Sequence, residues 1–328
     1  MSSKAQNAAN ALLKYESGQQ LVPAKAMTDS GDRTRFSIPE APWSGAPGRE
    51  PVIRPDGLIT GGAITPSAGN NSVTVAALTA YQAGQLLSVA SASVSLVRAT
   101  SSNTHKISSV TIDDTGALAA VAGTDGTAFS EVRGAAGGPP FIPVGSIELG
   151  QVRLTGTAAA SVKASEIFTV PGTHTELYDF PIWDENPGKG EITFVVALPA
   201  IHTGGTPRRV YAEVYTPIFA PLEKTMDFVP PEIAYSQSST QVYGGTVGSS
   251  SQSLGQGSFT TYLRDGVTDP IIARKGELLW WQFFPHRLRP PSLLVQAILG
   301  IARTYPAGDN IKASCTLSAD APAKEVKA

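Results

Sequence analysis

A single cysteine, Cys315, is all the thiol chemistry in these 328 residues. An intramolecular disulfide framework and a multi-cysteine zinc site are therefore excluded, a pattern expected of maturation in a reducing cytoplasm. Charge is scarce too: Asp, Glu, Lys and Arg make up 16% of the chain, against roughly 25% in an average soluble domain. The net charge of −2 provides no global basic field to hold phosphates or anionic lipid, so tight nucleic-acid and membrane binding are not expected. No apolar run approaches the roughly 20 residues of a membrane-spanning helix. The opening "MSSKAQNAANALLKYESG" offers only Leu12 and Leu13 where a secretion signal needs an apolar stretch, so synthesis in the cytoplasm is expected.

Glycine (32) and proline (25) are plentiful, and Ser, Thr, Ala and Val dominate the remainder, which favours many short strands joined by turns. The expected class is mainly β, and the length suggests two domains. Residues 1–52 read as an N-terminal arm. It opens with a short helix over 3–17, capped by Ser2 or Ser3, with Ala5, Ala8, Ala9 and Leu12 on one face and Gly18 as its stop. Residues 53–160 read as a small β domain, from "SVTVAAL", "QLLSVASASVSLVR", "KISSVTI", "ALAAVAG" and "AFSEVR", with "RGAAGGPPFIPVG" at 133–145 as its exit. Residues 161–328 carry a second series: "SEIFTV", "EITFVVAL", "RRVYAEVYTPIF", "FTTYLRD", "ELLWWQFF" and "NIKASCTLSA". "PSLLVQAILGIAR" fits a helix or a buried strand, and Gly300 with the β-branched residues favours strand at its end.

Chemistry is mostly missing. "IDDTGA", 112–117, contains the Asp-Thr-Gly triplet of aspartic proteases, but it lies between two strand patterns where Asp and Gly supply hairpin-turn chemistry. "HTELYD" brings His174, Glu176 and Asp179 close in sequence, yet on a strand Asp179 would fall on the opposite face from the other two. His105, His202 and His286 sit in unrelated contexts with a turn or surface role expected. "NPGKGE" lacks the spacing of a phosphate-binding loop, and no serine lies in a Gly-x-Ser-x-Gly elbow. Arg264, Arg274, Lys275, Arg287, Arg289 and Arg303 interleave with Trp280, Trp281, Phe283 and Phe284; alternation in "LLWWQFF" points one aromatic set inward, which favours core and intersubunit contact over a base-stacking platform. With no nucleophile, base or cofactor loop, neither enzyme activity nor a catalytic, cofactor or metal site is expected.

The most distinctive stretch is also uncharged: no residue from Tyr235 to Leu263 carries charge. It reads as an extended hairpin, 235–263, with its tip near "GSSSQS" and legs of about ten residues, reaching roughly 30 Å at about 3.3 Å per residue. Flexible linkers seldom carry spaced Val242, Tyr243, Val247, Leu254, Phe259 and Tyr262. Without Lys, Glu or Pro to guard its edges, such an arm is suited to meeting a second chain. The expected intersubunit contacts are Val242, Tyr243, Val247, Leu254 and Phe259, with Leu12 and Leu13 from the N-terminal arm.

The order of N-terminal arm, "RRVYAEVYTPIF", uncharged Ser/Gly hairpin, "FTTYLRDGVTD" and closing "NIKASCTLSADAPAKEVKA" resembles the major tail (tail tube) proteins of long-tailed bacteriophages. The resemblance covers mainly 161–320, while 53–155 exceed a minimal tube protein and read as an added or inserted domain. It implies a β-sandwich or curled-barrel subunit that closes into hexameric rings and stacks them into a channel for the genome. The implied partners are other copies of the chain, tape-measure and tail-terminator proteins, and passing DNA in transient contact, all in the virion tail. Two alternatives share the composition: a capsid-decorating or baseplate protein, and a carbohydrate-binding module using Trp43, Trp183 or Tyr235 as sugar platforms.

Overall fold

Side chains along the longer strands alternate between core and surface with a period of two. In Val210–Leu222 the buried positions are Val210, Ala212 and Val214; in Lys312–Ser318 they are Ala313, Cys315 and Leu317; in Gly257–Tyr262 they are Gly257, Phe259 and Thr261. The computed structural model describes residues 10–40, 49, 51–101, 104–169, 182–184, 190–289 and 291–326. These are mainly β, in several antiparallel sheets, with only single turns of 3-10 helix.

The largest sheet has nine strands. Its order is Thr225–Val229, Gly257–Tyr262, Lys312–Ser318, Ser292–Thr304, Leu278–Phe284, Leu12–Ala26, Val210–Leu222 and Val52–Pro55, with Lys324–Val326 paired to the start of Ser292–Thr304. The segment that fitted helix or strand is thus strand throughout. The sheet rolls on itself: Phe228, in its first strand, stacks on Phe283, in its fifth, with ring centroids 4.5 Å apart. Inside the roll Trp281 packs against Phe259 and Tyr15 at 5.3 and 6.1 Å, and its indole N–H donates to the Ala297 carbonyl at 3.2 Å. The buried tryptophan therefore meets its polar need without water.

Two expectations for the N-terminus are overturned. From Leu12 onward the chain is strand, Leu12–Ala26, instead of helix; residues 1–9 lie outside the described residues. An alanine-faced helix is marginal by itself, whereas Leu12–Tyr15 gains a ladder on both sides, to Val210–Leu222 and to Leu278–Phe284. Nor is the stretch up to residue 52 an arm: Met27, Phe36 and Ile38 form a second core with Ile192, Phe194 and Val210, in which Phe36 meets Phe194 edge-on at 5.6 Å. Glu16 marks where the strand changes partners. Its carboxylate accepts the Trp280 backbone N–H at 3.1 Å, and a bulge follows between Glu16 and Gly18.

The third core is built wholly from residues 58–162, including Leu58, Val73, Val110, Ile112, Val152 and Leu154. Its central strand, His105–Ile112, is buried on both faces, because "RGAAGGPPFIPVG" does not leave this unit but folds back across it. "AFSEVR" forms no strand and belongs to the same strap. A side chain at Gly137 (φ +73°) would put a Cβ 2.0 Å from the Ala128 carbonyl oxygen, so only glycine permits this approach. Under the strap the fully buried Glu148 accepts from Arg133 Nη2 at 2.6 Å and from the Ser109 hydroxyl. The chain then returns as Ile147–Thr155, paired with His105–Ile112.

Asp56 joins this unit to the large sheet. It follows Val52–Pro55, which pairs with Val210–Leu222, and precedes Gly57–Gly61. Its carboxylate accepts from Arg209 Nε at 2.7 Å and from the Ala83 N–H at 2.9 Å, while its carbonyl accepts from Arg208 Nη1 at 3.0 Å. Burial pushes the Asp56 carboxyl above its ordinary value, opposed by the Arg209 guanidinium; burial also pulls Arg208 down to about 10. His202, expected in a turn or at the surface, heads the single 3-10 turn Thr203–Gly205 but is buried beside this junction, with Nε2 2.9 Å from the Ser146 carbonyl. Asp56→Ala is expected to cost about 2 to 4 kcal/mol, somewhat below the fully buried case because Arg209 keeps partial solvent contact. Urea denaturation checks this, and a loss under about 0.5 kcal/mol would show that the junction does not depend on the ion pair.

Candidate assembly site

The uncharged stretch forms a ribbon that no other strand joins among the described residues. Ile233–Val242 and Gly245–Leu254 pair antiparallel without a break, from Ile233↔Leu254 at the base to Val242↔Gly245 at the tip. The legs hold ten residues each, as expected, but the turn is Tyr243-Gly244 and not "GSSSQS". Gly244 sits at φ +89°, which glycine adopts without strain and which fixes the reversal here. Both legs are exposed on both faces, with only Leu254 half-buried.

The root of the ribbon is firm. Thr225–Val229 and Gly257–Tyr262 continue the same hairpin into the large sheet. Between the two parts the Pro231 carbonyl accepts the Ala323 N–H at 2.8 Å, and Gly255 donates to the Glu232 carbonyl at 2.8 Å. Gln256 Nε2 donates to the Ser318 hydroxyl at 3.0 Å.

The two faces differ. One carries Ala234, Ser236, Ser238, Thr240 and Val242 opposite Val247, Ser249, Ser251 and Ser253; the other carries Tyr235, Gln237 and Gln241 opposite Thr246 and Gln252. On the first face Ser236 and Ser251 pair through their hydroxyls at 2.6 Å, and Ser238 and Ser249 at 2.7 Å. These cross-strand pairs lower the cost of removing the hydroxyls from water. Nothing in the spacing of the sequence announced them, since their register follows from the position of the turn.

The expected contact residues divide. Val242, Tyr243 and Val247 cluster at the tip with their side chains in solvent, Tyr243 fully so. Leu254 lies at the root. Phe259 and Leu13, at 2% and 1% exposure, belong to the core inside the rolled sheet and are corrected from contact residues to internal packing. Leu12 is half-buried at the start of its strand.

Edge protection sets the ribbon apart from the large sheet it projects from. Among the described residues, Val214–Leu222 has no strand on the side opposite Leu12–Ala26, since Val52–Pro55 covers only Val210–Glu213. That bare edge contains Pro217 and Pro221, which cannot donate to a ladder and block strand addition. The hairpin carries neither proline nor charge along either leg.

The other candidate chemistry resolves into structure. Asp113 accepts from Thr115 N at 2.9 Å and Ala117 N at 2.9 Å, and Gly116 sits at φ +87°, so "IDDTGA" is the hairpin turn it was expected to be. These hydrogen bonds, led by the Thr115 hydroxyl, hold the Asp113 carboxyl below its ordinary value. His174, Glu176 and Asp179 lie outside the described residues, as do Trp43 and the side chain of Trp183. No group of three or more His, Cys, Asp or Glu side chains is placed to hold a metal among the described residues. Both Trp280 and Trp281 are buried, in line with the core role favoured over a base-stacking platform. Asp113→Ala is expected to lower stability by about 1 kcal/mol, the ordinary worth of such a hydrogen bond, and Asp114→Asn to leave it unchanged. Thermal unfolding of the two variants checks the difference, and equal effects would place the turn's support elsewhere.

No family model matches the chain, and comparison with curated proteins gives no match, so the functional conclusion rests on the chain's own residues.

Proposed function

We propose that this chain is a structural protein of a virion whose subunits assemble through the hairpin, in the manner of the ring-stacking tail tube proteins of long-tailed bacteriophages. The observation that carries the reading is the ribbon of Ile233–Leu254: ten residue pairs held clear of the body, uncharged beyond Glu232, unguarded at both edges and firmly rooted. A two-stranded ribbon is at best marginally stable alone in water. A neighbour that adds strand pairing and covers Val242 and Val247 supplies what it lacks, each buried valine contributing about 1.5 to 3 kcal/mol.

On this reading the rolled nine-stranded sheet is the curled-barrel or sandwich body that packs side by side into rings of six. The unit with the 58–162 core is an added domain on the ring. The partners are other copies of the chain, the tape-measure and terminator proteins of a tail, and DNA in passing; the setting is the virion tail, after synthesis in the host cytoplasm. A catalytic role has no support in the residues. The second reading, decoration of a preformed lattice or a baseplate, is favoured by the separate core of residues 58–162, which gives that unit a body to project outward. The two part on polymerisation: a tube protein assembles alone.

Deleting residues 235–252 and closing with a two-residue turn should leave a folded, soluble subunit, since a shorter loop alters closure terms by only about 1 kcal/mol. The full-length chain should form rings or tubes of uniform diameter at high concentration, and the deletion variant should not. Hydrogen exchange across 234–253 should be slow in the assembly and fast in the free subunit. Light scattering, negative-stain microscopy and exchange mass spectrometry read these outcomes. A full-length chain that stays monomeric at all concentrations would leave the decoration reading in place, and tubes from the deletion variant would end the hairpin's part in assembly.

A further inference from the structure

The rolled sheet has a seam. Between its first strand, Thr225–Val229, and the strands beginning at Leu12 and ending at Phe284 lies a groove of about 1020 Å³. The stacked rings of Phe228 and Phe283 lie along it, and Leu12, Leu222 and the half-exposed Met226 add further apolar surface. Its rim is charged but balanced, with Glu223 and Asp227 against Lys224 and Arg287. An apolar floor within a polar rim is the anatomy of a protein interface. The adjacent sheet edge is bulged at Asp227, φ +56°, so the groove is suited to receiving side chains and not an added strand.

We propose that this groove receives the hairpin tip of a second copy, with Tyr243 laid against Phe228 and Phe283 and flanked by Val242 and Val247. The inference rests on the assembly reading above and names the receiving site. Three observations single out this occupant. The tip is uncharged and apolar, so it brings no unpaired charge across the balanced rim. It presents a fully exposed aromatic side chain, of the type that anchors interfaces, and the groove presents an aromatic floor to match. It also cannot reach the groove of its own chain: the legs hold Tyr243 about 33 Å beyond Ile233, at about 3.3 Å per residue, and the root is pinned at Pro231. Tip and groove are different surfaces, so the contact is head-to-tail and repeats from subunit to subunit.

Disulfide trapping tests the contact in the full-length chain. Cys315 does not interfere, because it is buried and burial pushes its thiol up to about 12. Under a mild oxidant at assembling concentration, the Tyr243→Cys/Met226→Cys variant should give a ladder of covalent multimers, at least tenfold above Tyr243→Cys alone and Tyr243→Cys/Val196→Cys. Val196 is exposed and does not line the groove. In parallel, Met226→Lys should reduce assembly at least tenfold while leaving the unfolding midpoint unchanged, because the side chain is 44% exposed. Tubes that form without the 243–226 ladder, or a dimer from Tyr243→Cys alone, would overturn this site while leaving hairpin-driven assembly standing. A parent chain that never self-associates would overturn both.

Discussion

The antiparallel pairing of Leu12–Ala26 with Val210–Leu222 is the contact on which the rest of the molecule hangs. It joins residues about 200 positions apart, from Leu13↔Leu222 to Ala26↔Tyr211. One end of this ribbon supplies Leu13 and Tyr15 to the rolled core, and the other supplies Val22, Val210, Ala212 and Val214 to the core around Phe36 and Phe194. Its outer flank holds Val52–Pro55 and so sets the position of Asp56, from which the third core departs. The same strand turns at Glu223 and Lys224 into the base of the hairpin. A ladder of such sequence separation is slow to form, since the loop must close before any pair contributes.

Edges decide what such a sheet protein does with its neighbours. Every strand presents two rows of hydrogen-bonding groups, and each row must be paired, covered or made unattractive. The large sheet has Pro217 and Pro221 along one edge and the Asp227 bulge on the other. The hairpin uses neither, although serine pairs such as Ser238–Ser249 satisfy its side chains internally. Protection along the edges of the large sheet, and none where the ribbon projects from it, supports the assembly reading.

How much of this was legible in the sequence depended on whether local chemistry or distant pairing controlled the residue. The "IDDTGA" turn, the alternating strands near the C-terminus and the length of the hairpin legs follow from period-two patterns and turn residues, and were read correctly. The N-terminal strand was not legible, because "ALLKYE" suits a weak helix until two distant strands offer it ladders. Phe259 was misjudged for a related reason: it adjoins the uncharged stretch in sequence, but Gly255 and Gly257 separate the exposed ribbon from the buried strand. The strap at 133–145 looked like an exit since glycine and proline mark loops without saying where they lead. The groove could not be read at all, being assembled from Leu12, Leu222, Phe228 and Phe283, which no sequence spacing connects.

Geometry also limits the assembly that a tip-in-groove contact can build. If each tip occupies the groove of the next subunit, equivalent points on neighbours are offset by the distance from a chain's own groove to its own tip. That distance is at most the extended path from Met226 to Tyr243, about 56 Å. A subunit offset by that much, with the ribbon rooted by the Pro231–Ala323 hydrogen bond, keeps its direction from copy to copy. The contact then propagates along an axis if the rotation is small and closes into a ring if the rotation divides a full turn. On the tube reading the hairpin would fix the translation and side-by-side packing of the rolled sheets would fix the rotation, so that one chain would hold both parameters of a tube.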